Sequence, residues 1–257
     1  MTTDHWSEGD LATLLRSGRP AAVARLVAGP QRLGEEGVID LGGQVGQPVG
    51  GEVRWLGEAY RLVRPSLADL LSTLKRGAQI ITSKDASQLV HLASVRPGGS
   101  VGEAGSGSGA LTIVLAYAVG PSGRVLSCDR RRDFLEAARA NVARAHLEDR
   151  VEFRERDVAA HGFGATGLES VLLDLPEPWG VLGWAKAALA SGGYAATYTP
   201  TYNQLERTVN ALRDEGFADV RALEVIERGL HVGEGGTRPE FEMLGHTGFL
   251  AVGRKVD

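Results

Sequence analysis

Three groups of residues in this chain have types and spacing suited to joint chemistry. The first is the run Glu103-Ala-Gly105-Ser-Gly107-Ser-Gly109, with glycine at alternate positions. Such a loop turns sharply and lets the backbone approach a ligand. A helix starting just after it adds free N–H groups and a positive dipole end. The second is Asp129, about 20 residues past the loop, where a carboxylate can accept both hydroxyls of a ribose. The third is Asp174, within Leu172-Leu-Asp174-Leu-Pro176-Glu-Pro178-Trp179. A carboxylate there can accept a hydrogen bond from an exocyclic amine, or a proton from a ring nitrogen as that nitrogen is alkylated.

Each group also has a plainer reading. A strand-to-helix turn can be rich in glycine without a ligand, and Asp174 before Pro176 could cap a turn. The loop is not G-x-x-x-x-G-K-[ST], so it makes no triphosphate cradle. A dinucleotide or S-adenosyl-L-methionine remains. The spacing E-x-G-x-G-x-G favours the latter, because Glu103 at its head complements a cationic cofactor and repels a pyrophosphate. Arg156-Asp157 is placed to face the adenine amine, although Asp157 reads equally as a solvated loop residue. The six histidines show no metal-ligand spacing, and no metal is expected.

The elements that must hold these groups follow from hydrophobic periodicity. From about Thr82 onward the chain alternates strand and helix, which predicts an α/β fold with a parallel, doubly wound sheet. Ala86–Ala93, Ala110–Val119, Arg132–Ala145, Val181–Leu189 and Gln204–Glu215 are the predicted helices. Ser100–Glu103, Arg124–Cys128, Val151–Phe153, Ser170–Leu175 and Gly193–Thr199 are the predicted strands between them. Two final strands, Val220–Ile226 and Thr247–Val252, have no helix between them and are expected to pair antiparallel at an edge. Upstream, residues 35–80 carry recurrent glycines between short apolar pieces and predict a small β-rich module, with Ser66 capping a helix over Leu67–Leu74. Leu11, Leu14, Leu15, Val23 and Leu26 predict a helix around Gly9–Leu26, making residues 1–34 a helical extension. Residues 81–257 form the expected catalytic domain.

Composition narrows the function classes. The chain has 257 residues, 43% hydrophobic and 23% charged, as a globular protein should. The single Cys128 excludes an intrachain disulfide and a cysteine metal cluster. No apolar run is long enough to span a bilayer and the polar start is no signal peptide, so a cytoplasmic protein is expected. The net charge of -4 gives no general basic field, so a nucleic-acid substrate would need a local basic patch.

Several segments in order resemble the TrmI family, the tRNA (adenine-58-N1)-methyltransferases of bacteria and archaea. They are Leu62-Val-Arg-Pro-Ser-Leu-Ala-Asp69, Arg76-Gly-Ala-Gln79, Lys84-Asp-Ala-Ser-Gln-Leu-Val90, the glycine loop, Leu173-Asp-Leu-Pro-Glu-Pro-Trp179, Pro200-Thr-Tyr-Asn-Gln204, and Arg238-Pro with Gly245-His-Thr-Gly-Phe-Leu250. The resemblance implies a small N-terminal β domain, a Rossmann-like catalytic domain, S-adenosyl-L-methionine as cofactor, and a homo-oligomer, usually a tetramer. It implies Asp174 as the catalytic carboxylate and Glu103, Gly105, Gly107, Gly109, Asp129 and Asp157 as cofactor contacts. Thr82, Trp179 and Tyr202 are the expected acceptor-side residues. Two departures stand out: Thr82-Ser83 replaces the family's Tyr-Pro, and the stretch after Gly37 lacks its histidines. Alongside a tRNA acceptor, these departures suit an N-methyltransferase of the same fold acting on a peptide or small molecule. A noncatalytic partner subunit fits less well, because the loop and Asp174 are both intact.

Overall fold

The computed structural model describes residues 4–33, 37–72, 74 and 81–257. The chain divides into two compact units, Met1–Leu74 and Lys75–Asp257.

The first unit is β-rich from its start. Strands β1 (Leu11–Arg16) and β2 (Arg19–Arg25) form an antiparallel hairpin where a helix was expected. Ser17 and Gly18 decide the matter. Both take left-handed φ, 50° and 77°, the backbone of a tight two-residue hairpin turn. With that turn in place, Ala12 and Leu14 point inward opposite Ala24 and Ala22, and the apparent helical spacing of Leu11, Leu14 and Leu15 is incidental. Strands β3 (Pro30–Arg32) and β4 (Val38–Asp40) form a separate pair. Strands β5 (Glu52–Trp55) and β6 (Glu58–Val63) complete a four-stranded sheet in the order β2-β1-β6-β5. Its core includes Trp6, Leu14, Leu26, Tyr60 and Leu62. Burying each such leucine contributes roughly 1.5–3 kcal/mol. Helix α1 (Leu67–Ser72) starts where predicted, with Ser66 and Asp69 bonded reciprocally as in a capping box. The Arg76-Gly-Ala-Gln79 segment lies outside the described residues.

In the second unit, α2 (Ser83–Leu92) leads into the alternation β7 (Ser100–Ala104), α3 (Ala110–Val119), β8 (Arg124–Asp129), α4 (Arg132–Arg144), β9 (Val151–Glu155), α5 (Val158–His161) and β10 (Leu168–Leu173). It continues through α6 (Leu182–Ala188), β11 (Leu189–Thr199), α7 (Tyr202–Asp214), β12 (Ala218–Glu224), the hairpin β13 (Leu230–Gly233) and β14 (Gly236–Pro239), and β15 (Phe249–Arg254). Seven strands make one sheet in the order β12-β15-β11-β10-β7-β8-β9. β7 to β11 run parallel, and β15 is antiparallel to both its neighbours. The fold is therefore α/β with a central, mostly parallel sheet. The antiparallel pair expected at the edge exists, but β15 inserts between β11 and β12, so of the two only β12 lies at the sheet edge. The helix predicted over Val181–Leu189 is shorter, because Pro178 opens a 3₁₀ turn to Val181 and α6 begins at Leu182.

One topological feature places the site. The chain leaves β7 toward β8 on one side, and β10 returns on the other side of β7. In open α/β sheets this reversal opens a crevice at the carboxyl ends of the strands.

Candidate active site

A cavity of about 770 Å³ occupies that crevice. Its walls include Gly105 and Gly107 from the glycine loop, Asp129 at the end of β8, Asp157 after β9 and Asp174 after β10. Five residues singled out from the sequence thus meet in one place, carried there by four different strand ends or turns.

The loop is shaped by its neighbours. Gly105, at φ +93°, donates its N–H to the carbonyl of Cys128 at 2.9 Å. A Cβ at this position would stand 2.0 Å from the carbonyl oxygen of Asp174. Gly109, at φ +81°, begins α3 against Ala138 of α4, where a Cβ would lie 3.0 Å from the neighbouring Cα. It is a packing glycine rather than part of the cavity wall. A Cβ on Gly107 would meet nothing, so this turn leaves open space on the cavity side.

Asp129 is largely buried. Its Oδ2 accepts the Gly107 N–H at 3.2 Å, and its Oδ1 accepts the Arg131 N–H at 2.9 Å. Both oxygens keep a second lone pair. Asp157 caps α5 by accepting the Ala159 N–H at 3.0 Å and still lines the cavity. Beside it, the Arg156 guanidinium is held by the carbonyls of Gly162 and His161.

Asp174 continues the pairing of β10 with β7 by donating its N–H to Ala104 O at 3.0 Å. Its carboxylate has no side-chain partner among the described residues and lines the cavity. Burial, with the charge of Asp129 adding to it, pushes its pKa up to about 6. It is thus ionised at neutral pH and close to its titration range.

Glu103 lies elsewhere. It is fully buried behind the loop, where its Oε2 accepts hydrogen bonds from Thr112 Oγ1 at 2.6 Å and Ser127 Oγ at 2.5 Å. Burial raises its pKa to about 8, so it is mostly neutral at pH 7. A direct contact between a Glu103 carboxylate and a cationic ligand, expected from the sequence, is not what this placement offers. Ser106 extends the network by a 2.6 Å hydrogen bond to Ser127, and the group holds the loop to β8 and α3 from below.

The three expected acceptor-side residues are also outside the lining. Thr82 donates to Asp85 at 2.8 Å before α2. Trp179 carries Arg207 over its ring at 5.5 Å. Tyr202 is 71% exposed and packs on Phe249 at 4.3 Å. The sequence reasoning missed Phe134, Tyr198, Pro200 and Gln204, all of which line the cavity. Tyr198 sits one residue before the end of β11, where the strand-end rule applied to Asp174 would have found it. Its O–H donates to Thr247 O, so the ring is fixed. Thr247 is itself held by a buried group: Lys84 Nζ lies 2.8 Å from Asp85 Oδ1 and 2.6 Å from Thr247 Oγ1, which donates to Asp85 Oδ2 at 2.6 Å. Arg130 and Arg131 stand on the rim. Among the described residues no cluster of side chains could hold a metal ion.

Comparison with known proteins places this geometry among methyltransferases. The family described as tRNA methyltransferase complex GCD14 subunit matches residues 63–236. The tRNA (adenine(57)-N(1)/adenine(58)-N(1))-methyltransferase TrmI of Methanocaldococcus jannaschii is 35% identical, covering 77% of this chain and 79% of its own. The tRNA (adenine(58)-N(1))-methyltransferase TrmI of Thermus thermophilus is 38% identical, covering 80% and 81%. A SAM-dependent O-methyltransferase structure from Thermotoga maritima is 30% identical with a TM-score of 0.87, covering 99% of this chain and 96% of its own. TrmI from Aquifex aeolicus shares the fold, with a TM-score of 0.79 at 24% identity over 98% and 99% of the two chains.

Proposed function

The chain belongs to the GCD14 family of tRNA methyltransferases, and from that premise we propose that it methylates N1 of adenine 58 in the T-loop of tRNA, with S-adenosyl-L-methionine as donor. The observation that carries the proposal is the meeting in one cavity of the glycine loop, Asp129 and an Asp174 whose carboxylate has no side-chain partner among the described residues. Relatives at 35–38% identity are named as tRNA enzymes. A peptide or small-molecule acceptor is therefore not carried forward.

The residues present suit this cofactor. The cavity volume falls within the range of small-molecule sites, about 300–1,000 Å³. The open face of Gly107 admits a ligand close to the backbone, and the spare lone pairs of Asp129 suit two ribose hydroxyls. Phe134 and Val158 offer apolar surface for a purine, with Asp157 near its amine. When bound, the cofactor supplies an electrophilic methyl group on a sulfonium. The chain's part is to orient and to balance charge. Asp174, ionised at neutral pH, accepts the hydrogen bond of the adenine exocyclic amine. It thereby stabilises the positive charge that develops on the ring as N1 is methylated. Tyr198 and Pro200 form the adjoining wall that limits how the base enters. Glu103 supports the loop as a neutral acid.

The acceptor is a polyanion and the chain's net charge is -4, so tRNA must be held locally. Arg130 and Arg131 on the cavity rim are placed for this, and Arg130 has no ion pair among the described residues. A tRNA substrate supports a cytoplasmic location. None of the described helices is long and apolar enough to cross a membrane. We also infer a homo-oligomer, a tetramer by family resemblance. Exposed Ile226, Leu230, Val232 and Phe241 on and beside the β13–β14 hairpin support this. The test of the main proposal is transfer of labelled methyl groups to unmodified tRNA transcripts. Label should enter with the native chain and fall to background with Asp174→Ala. Tight cofactor binding without labelling would remove tRNA as the acceptor.

A further inference from the structure

His246 stands between two groups that both accept hydrogen bonds. Its Nδ1 is 2.7 Å from Glu224 Oε1, and its Nε2 is 2.8 Å from the carbonyl oxygen of Pro200. A neutral imidazole carries one N–H and can satisfy only one of them, whereas an imidazolium donates to both. The groups it joins belong to different elements. Glu224 is the last residue of β12, and Pro200 lies at the corner between β11 and α7, in the cavity wall. That corner reaches further. Gln204, in the first turn of α7, donates to Pro176 O, two residues past Asp174. The His246 ring is backed by Phe249 at 4.7 Å.

We propose that His246, as an imidazolium, is a positioning residue that ties the Pro200 corner to Glu224 and so fixes the acceptor side of the cavity. The proposal rests on reading that cavity as the methyl-transfer site. Among the described residues, two charged groups act on the ring. The Glu224 hydrogen bond holds its pKa above the ordinary histidine value, helped by the Pro200 carbonyl, and the Lys84 ammonium of α2 opposes this. The brace is complete below the raised pKa. As pH rises through it, one of the two hydrogen bonds is lost and the corner is held from one side only.

Two measurements test this, one of them independent of any acceptor. The first follows the His246 ring proton by NMR, assigned by its disappearance in His246→Gln, across pH in the native chain and in Glu224→Gln. The midpoint should lie above 6.5 in the native chain and move to lower pH in Glu224→Gln. The second follows KM for unmodified tRNA at saturating cofactor. KM should rise several-fold through the same pH range while kcat changes less, and in His246→Gln it should be raised and flat. A midpoint at or below the ordinary value, a midpoint unmoved by Glu224→Gln, or a pH-dependent KM that survives in His246→Gln overturns the brace. If the NMR shifts appear but no tRNA is methylated, the acceptor reading fails instead, and with it the link from the brace to the acceptor.

Discussion

The carbonyl oxygen of Asp174 lies 2.0 Å from the point where a side chain on Gly105 would begin. The loop that would cradle the cofactor and the strand end that carries the candidate catalytic carboxylate are therefore packed backbone against backbone. A movement of either displaces the other, which is how two halves of one reaction can be held in fixed geometry.

Gly105→Ala tests that packing. The new methyl group cannot be accommodated, and φ of +93° is strained for alanine as well. Asp174 must shift, and the strain costs on the order of 1–3 kcal/mol. Initial rates should fall at least about tenfold with cofactor affinity also reduced, as initial-rate kinetics and calorimetry would report. Unchanged rates would show that the contact has no mechanistic weight.

Asp129→Ala removes the acceptor for ribose hydroxyls and also frees the Gly107 and Arg131 N–H groups it now holds. Hydrogen bonds to a charged group contribute roughly 1.5–3 kcal/mol each, so calorimetry should show cofactor affinity weakened by about tenfold to a hundredfold or more. Circular dichroism should show the sheet intact.

The pH dependence of methyl transfer follows from Asp174. Its pKa is raised to about 6 by burial and by Asp129, and the form that accepts the amine hydrogen bond is the ionised one. The rate should therefore be full above that value and fall as pH drops through it. Asp174→Asn should abolish this acidic limb and lower the plateau by about 10²–10⁴-fold. An acidic limb that persists in Asp174→Asn would assign it to another group.

Glu103 makes a prediction about stability of opposite sign. Its folded pKa, about 8, lies above the ordinary 4.5, so between these values the folded state binds more protons than the unfolded one. The contribution is fully present below about pH 4.5 and declines as pH rises to about 8. Glu103→Gln does not titrate. Its Tm relative to the native chain should improve from pH 5 to pH 8, measured by thermal unfolding at each pH.

Much of this was legible in residue order, for physical reasons that also mark its limits. The glycine loop, the helix over Ala110–Val119 and the placement of Asp129 and Asp174 follow from local chemistry and strand–helix alternation, which packing reinforces. Glu103 is harder to read, because sequence gives its charge but not its burial. Only the folded chain shows Thr112 and Ser127 closing over it. Residues 9–26 have spacing that suits a helix, yet Ser17-Gly18 turn them into a hairpin, and that dipeptide was the overlooked signal. Tyr198 and Pro200 come from the far side of the crevice, brought there by the parallel pairing of β11 with β10.

The central claim is a methyl group placed on N1 of adenine 58 in tRNA. The direct measurement digests transcripts after reaction with labelled cofactor, identifies the modified nucleoside, and locates it by the stop it causes in primer extension. The account predicts 1-methyladenosine at position 58 alone, lost when that adenine is replaced in the transcript and lost with Asp174→Ala. Label at another position or on another atom, or label that survives both changes, would contradict it.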